Sequence, residues 1–328
     1  MNELVDKYNR HLNYLRISIT DRCNLRCLYC APGGLVPKLA HDEILRYEEI
    51  LRIVRVGVSL GISKVRLTGG EPLMRAGVYE FLKELASVDG LSDISLTTNG
   101  VMLHENIERI EAAGIKRINI SLDTLDREKF KYITGYDRFD QVWSGIEKAY
   151  ARRFDPIKLN VVALKGYNDD EFVALARLSM TYPFHIRFIE YKPIGNALMK
   201  SDDYILAPDI QSRLSVLGDL IPITRKRMDG PAQRFRLKGA RGEIGFIQAM
   251  SRHFCHTCNR LRLTANGQLR PCLLSDKQLD IRGPLRSGCS DDELKAVFYR
   301  AIQHKHESHH FAPGSPFRVH DPMSGIGG

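Results

Sequence analysis

"YLRISITDRCNLRCLYC" spans residues 14–30. Its first half alternates apolar and polar residues and reads as a strand. Its second half crowds Cys23, Cys27 and Cys30 into eight residues, with Tyr29 before the last thiol. A strand that runs straight into a group of metal-ligating side chains fixes how the rest is read. Similar runs recur at "KVRLTGG" (64–70), "DISLTTNG" (93–100), "RINISLD" (117–123), "IKLNVVAL" (157–164) and "HIRFIEY" (185–191). Between them lie helix-like apolar spacings, such as "YEEILRIVRVGVSLG" (47–61), "VYEFLKELASV" (78–88), "NIERIEAAG" (106–114) and "EFVALARLSM" (171–180). Alternating strands and helices predict an α/β fold with a parallel sheet. Units of roughly 25–35 residues fit a partial (β/α)6-type TIM barrel.

Polar residues cluster just after the strands: Cys23, Gly69 to Glu71, Thr97 to Asn99 and Asp123. In an α/β barrel those loops form the active face, so these residues are expected to share one mouth. The pattern weakens after about residue 200. "DGPAQRFRLKGARGEIGFI" (229–247) reads as a β-hairpin, 291–304 as a helix, and the tail from Phe311 is rich in Pro and Gly. The expected division is a barrel over 1–225, bearing the first cysteine group, and a C-terminal α+β module over 226–328.

No run of 18 apolar residues exists, so no membrane span is expected. The N-terminus lacks the apolar core of a secretory signal, which predicts a cytoplasmic protein. Lys and Arg outnumber Asp and Glu by 48 to 39, a formal charge of +9. That balance suits a soluble basic surface or an anionic partner: a phosphate, a nucleotide or a nucleic acid.

Seven cysteines in a cytosolic chain argue for metal or metal–sulfur ligation rather than disulfides. Cys23, Cys27 and Cys30 are spaced C-x3-C-x2-C. Cys255, Cys258 and Cys272 are spaced C-x2-C-x13-C, and Cys289 stands apart. A structural zinc site needs four ligands. For the first group His11, His41 or a distant cysteine could supply the fourth; for the second, His256 or Cys289. The other reading is iron–sulfur clusters that each lack one protein ligand. Each would leave a coordination position for a small molecule. Arg260 and Arg262 in "NRLRL" alternate on a strand and project to one side. Guanidinium groups there suit phosphate or carboxylate oxygens. "HKHESHH" (304–310) reads as a polar helix end.

The C-x3-C-x2-C spacing after the first strand, with "TGGEP" (68–72) at the second, resembles the radical S-adenosylmethionine (SAM) superfamily. The resemblance implies a [4Fe-4S] cluster whose fourth iron position is taken by the amino and carboxylate groups of SAM. A narrower likeness runs through nearly the whole chain. "RLTGGEPL", "LTTNG", "NISLDTL", "KLNVVALKGYND", "RFIEYKPIG", "CHTCNRLRLTANGQLRPCL" and the closing Gly327–Gly328 are similar to the GTP 3′,8-cyclase family. That family carries out the first step of molybdenum cofactor biosynthesis.

The likeness implies two [4Fe-4S] clusters, on Cys23, Cys27 and Cys30 and on Cys255, Cys258 and Cys272. It implies SAM contacts at Tyr29, Gly70, Glu71 and Ser121. It implies GTP contacts at Arg16, Arg66, Thr97, Lys158, Arg260 and Arg262; Arg187 joins them as a further inward cation. Gly327 and Gly328 would reach the active site. Lys192 stands where the family usually has methionine; it would line the SAM pocket, pairing with the SAM carboxylate, or turn outward. The implied reaction removes the ribose 3′ hydrogen of GTP and joins that carbon to C8 of guanine. Implied partners are GTP, an electron donor such as flavodoxin, and functionally a cyclic pyranopterin monophosphate synthase, with no nucleic acid or membrane. The expected state is a monomer or homodimer. Rival readings are a radical SAM peptide-modifying enzyme with an auxiliary cluster and, from another class, a zinc-containing nucleic-acid-binding protein.

Overall fold

The computed structural model describes residues 3–30, 38–192, 194–195, 204–224, 229–309 and 319–327. Six parallel strands form its centre: β1 (Tyr14–Ser18), β2 (Lys64–Thr68), β3 (Asp93–Thr98), β4 (Ile118–Ser121), β5 (Ile157–Ala163) and β6 (His185–Glu190). They coincide with the six predicted runs, each shorter at its C-terminal end. Crossovers are made by α1 (Tyr47–Ser59), α2 (Val78–Ala86), α3 (Leu103–Ala112), the pair α4 (Arg127–Thr134) and α5 (Phe139–Ala151), and α6 (Phe172–Thr181).

The C-terminal half adds α7 (Ala207–Leu214), then β7 (Leu220–Pro222), β8 (Gln233–Leu237) and β9 (Glu243–Ile247). Next come β10 (Arg260–Leu263), β11 (Gln268–Arg270), β12 (Leu279–Asp280), α8 (Arg282–Arg286), α9 (Asp291–Gln303) and α10 (Met323–Ile326). β8 and β9 are the antiparallel hairpin read from the sequence. These strands do not form a separate sheet. β10 pairs in parallel with β1 and β9 in parallel with β6, giving the order β12-β11-β10-β1-β2-β3-β4-β5-β6-β9-β8-β7. Both edges of the six-stranded unit are thereby paired, which satisfies backbone groups an open sheet would leave exposed. The order has two ends, so the barrel is partial.

Alternation along the strands decides what each face does. Leu15, Ile17, Val65, Leu67, Leu96, Ile118, Ile120, Leu159, Val161, Ile186, Phe188, Leu261 and Leu263 belong to one buried apolar core with the helices. α1 contributes Ile50, Ile53, Val54 and Val56 to it. The opposite face is polar. One row across the sheet reads Arg270, Arg262, Arg16, Arg66, Ser95. A second reads Thr97, Asn119, Lys158, His185, Glu243. A barrel interior is ordinarily filled by branched apolar side chains; this one is lined by cations and amides. Among the described residues no helix is long and apolar enough to cross a membrane.

Candidate active site

The first cysteine group sits at the C-terminal end of β1, in a loop bound on three sides. Arg26 N–H donates to Thr134 O at 2.8 Å and Leu28 N–H to Ile133 O at 3.0 Å, tying the loop to α4. Gly70 N–H donates to Thr20 O and Glu71 N–H to Arg22 O, both at 2.7 Å, tying it to the turn after β2. A Cβ on Gly70 would lie 2.3 Å from Arg22 O, so only glycine permits this approach. Asn99, after β3, donates to Cys23 Sγ at 3.6 Å, and Leu25 N–H does so at 3.4 Å.

Burial raises all three thiols: Cys30 to about 12, and Cys27 well above its usual range, where Cys30, Asp123 and Cys23 add to the effect. Three sulfurs that oppose one another's ionisation suit a cationic metal centre that takes thiolates. Tyr29 OH donates to Asp123 Oδ2 at 2.6 Å, and Val162 N–H donates to Asp123 Oδ1 at 2.8 Å. Ser121 ends β4 beside Asn160. The fully buried Glu71 carboxylate accepts from Leu73 N–H (3.1 Å), Thr98 Oγ1 (2.8 Å) and Asn99 N–H (2.7 Å). It staples the β2 turn to the β3 turn. Burial outweighs those hydrogen bonds and lifts it to about 7.

The polar face below carries the predicted cations. Lys158, Arg187 and Arg262 are 9%, 8% and 5% exposed. None of these three, nor Arg66, forms a salt bridge among the described residues; Arg66 donates to Ser95 Oγ at 3.2 Å and Arg187 to Asn119 Oδ1 at 3.3 Å. Burial, then mutual repulsion, presses these groups down: Lys158 to about 5, Arg187 to about 9 and Arg262 to about 10, with Arg16 also well lowered. Buried cations without carboxylates are expensive unless an anion joins them. Thr97 Oγ1, Asn160 Oδ1 and the Tyr14 hydroxyl are buried without a hydrogen-bond partner among the described residues, which also fits a polar ligand there. A cavity of about 190 Å³ opens between Lys64, Arg66, Lys158, His185, Arg187 and Arg234 at the N-terminal ends of the strands.

The second cysteine group lies at the other end of the barrel. Cys255 and Cys258 precede β10, and Cys272 follows the antiparallel β11, so all three flank the end of the sheet opposite Cys23. The length of β1, roughly 13 Å at the strand rise, separates the two levels. Arg260 donates to Cys258 Sγ at 3.7 Å. Burial alone would raise Cys258, but Lys305 and Arg260 reverse this and hold it at about 6. Lys305 Nζ is itself fixed by Pro271 O (2.6 Å) and Arg260 O (3.0 Å). The histidine-rich run is not simply a helix end: His309 Nε2 lies 2.8 Å from His253 Nδ1. With Cys255 these place ligand atoms within 4.8 Å of one another, so a metal held there would share Cys255 with the second group.

Lys192 turns inward. Burial, then Arg262, Arg260 and Arg16, hold its ammonium at about 7. Gly327 lies at the mouth, where Arg262 donates to its carbonyl oxygen; Gly328 falls outside the described residues. Tyr14, Lys64, Asn119, Asn160 and His185, none of them predicted from the sequence, line the same face. The signal was available: each stands two residues from a predicted inward position, or faces one across the ladder.

Residues 17–179 match the profile of the Radical SAM superfamily, and 184–311 that of Molybdenum Cofactor Synthesis C. A GTP 3′,8-cyclase of Moorella thermoacetica is 50% identical over 323 residues, covering 98% of this chain and 99% of the relative. One of Thermodesulfovibrio yellowstonii is 48% identical over 327 residues, with 98% and 99% covered. Among solved structures, Streptococcus suis SuiB bound to S-adenosylmethionine matches with a TM-score of 0.63 at 16% identity, covering 91% of this chain and 69% of SuiB. Native anSMEcpe with bound AdoMet gives 0.58 at 17%, covering 91% and 82%. At such identities the structures share the fold alone, the partial TIM barrel of radical SAM enzymes, whose family carries a [4Fe-4S] cluster and SAM. On the sequence relatives, the chain belongs to the GTP 3′,8-cyclase family of radical SAM enzymes.

Proposed function

We propose that this enzyme converts GTP to (8S)-3′,8-cyclo-7,8-dihydroguanosine 5′-triphosphate, with the nucleotide spanning the barrel between two cysteine-held centres. The observation that carries this is the cationic inner face between the triplets. A triphosphate needs several cationic partners at once, and Arg66, Lys158 and Arg187 offer them from three strands.

Cys23, Cys27 and Cys30 would hold the first [4Fe-4S] cluster, and Cys255, Cys258 and Cys272 a second. Tyr29, Gly70, Glu71, Ser121 and Lys192 would line the SAM site. Held there, the first cluster and SAM would supply the radical chemistry that removes the ribose 3′ hydrogen. The chain itself orients and excludes. Arg16, Arg260 and Arg262 hold the substrate toward the second triplet. Thr97 Oγ1 and Asn160 Oδ1 find partners on the ligand. Lys158 gains a proton as the phosphates arrive. Gly327 covers the mouth and keeps water from the reacting carbon. The division near residue 225, a cytoplasmic setting, a flavodoxin-like electron donor, a monomer or homodimer, and hand-over of the product to a cyclic pyranopterin monophosphate synthase belong to the same proposal.

The test is an anaerobic incubation with GTP, SAM and a reductant. The expected result is 5′-deoxyadenosine together with a cyclised nucleotide, both dependent on GTP. 5′-Deoxyadenosine at the same yield without GTP, or colourless protein containing zinc instead of iron and sulfide, would overturn it.

A further inference from the structure

Arg270 is the most deeply buried cation in the described chain, with a side chain 0% exposed. It stands in the first polar row, opposite Arg262 across the β10–β11 ladder. It is not among the residues predicted from the sequence to bind a ligand. It donates to Asp321 Oδ2, to Ser275 O and, at 3.1 Å, to Gln278 Oε1. Ser275 and Gln278 lie in the loop that leaves Cys272. Asp321 lies in the C-terminal segment, two residues before α10 and six before Gly327. One guanidinium therefore joins the loop of the second triplet to the tail that reaches the mouth.

The neighbouring contacts run in the same direction. His320 N–H donates to Asp276 Oδ1 at 3.1 Å, and its ring Nδ1 lies 2.8 Å from Asp276 Oδ2. Gly195 N–H donates to Val319 O at 2.8 Å. Val319 and Ile326 are buried with Ile194, Met250 and Leu274 in a small apolar cluster that Cys272 borders. Apolar contact of this kind holds the segment without fixing its register. An ion pair with one fully buried partner fixes it, because sliding by a residue would strand the guanidinium.

We infer that the Arg270–Asp321 pair is the latch that positions Gly327 against Arg262 at the barrel mouth. Arg270 is thus a positioning residue, acting through the tail. The inference rests on the reading that the terminal glycines take part in the reaction.

The test uses holoenzyme with both clusters in place and compares D321A, a variant lacking Gly327 and Gly328, and the two combined. D321A is the informative change because Asp321 is 41% exposed and Arg270 keeps Asp276 Oδ1 at 3.6 Å, Ser275 O and Gln278 Oε1 as partners. R270K, which keeps the charge but not the fork, serves as a second probe. Expected for D321A are wild-type iron and sulfide, faster hydrogen exchange confined to residues 319–327, and cyclised nucleotide reduced about tenfold by misplacement at the mouth. The combined variant should be no slower than the deletion alone, since both changes remove the same docked tail. Wild-type turnover in D321A alongside an impaired deletion would overturn the latch and leave the tail's role standing. Multiplying effects in the combined variant would likewise overturn it. A deletion with wild-type turnover would remove the reading on which the latch rests, and the latch with it.

Discussion

Arg262 on β10 donates a hydrogen bond to the carbonyl oxygen of Gly327. A guanidinium from the cationic face is thus engaged by the chain's own terminus, and a neutral carbonyl partly offsets a charge the fold leaves without a carboxylate. Gly327 has φ of +71°, and a Cβ there would lie 2.4 Å from Thr68 Oγ1. Both facts require glycine. G327A should displace the tail, lowering the rate of cyclised nucleotide formation roughly tenfold or more while GTP affinity changes little. Single-turnover rates set against dissociation constants check this; a wild-type rate would show that the fit at the mouth is dispensable.

Lys158 is held at about 5 by burial and then by Arg187, Arg117, Arg66 and Lys64. It is neutral at pH 7.5 without ligand. A polyanion favours the ammonium, so its pKa rises in the complex and binding takes up a proton. Affinity should be level below pH 5 and fall as pH rises from there to the pKa of the complex. Calorimetry of GTP binding in buffers of differing ionisation enthalpy measures the uptake. K158M should lose the lysine's share, approaching one proton per site at most. Equal uptake in both proteins would assign the protons elsewhere.

G70A should empty the first triplet selectively. The methyl group would meet Arg22 O at 2.3 Å, and the strand cannot yield without losing the Gly70–Thr20 and Glu71–Arg22 hydrogen bonds. With the far triplet untouched, iron and acid-labile sulfide should fall to about half. Metal analysis of anaerobically reconstituted protein decides between this and full retention, which would mean that the close approach is not needed.

Lys64 Nζ lies 2.6 Å from Asp93 Oδ2, with both side chains about 5% exposed, and Arg117 approaches the same oxygen at 2.8 Å. Burial opposes ionisation of Asp93, yet the two cations hold its carboxyl below the ordinary range. D93N leaves the lysine charge buried and poorly compensated, at a cost of about 3–5 kcal/mol. The double change K64M with D93L should recover most of that. Urea unfolding of the anaerobic protein measures both; a loss under about 1 kcal/mol in D93N would place the pair in better contact with water than its burial indicates.

The local sequence determined the six central strands, the crossover helices α1, α2, α3 and α6, and the two cysteine triplets. Period-two alternation and ligand spacing are short-range properties, and each lies within about 20 residues of chain. Alternation puts Arg16 and Arg66 on the polar faces of their strands; that those faces line the barrel was implied by the resemblance. Tertiary structure alone decided three things. It set β10 beside β1, which brings Arg262 next to Arg16 and puts Cys255 and Cys258 at the end of the barrel opposite Cys23. It brought Asp321 to Arg270 and Gly327 to Arg262. It also turned Lys192 toward the arginines. These pairings join residues more than 50 apart, or depend on which edge of the sheet a strand takes. No local periodicity encodes that choice; the pairing of open edges and the burial of one face do.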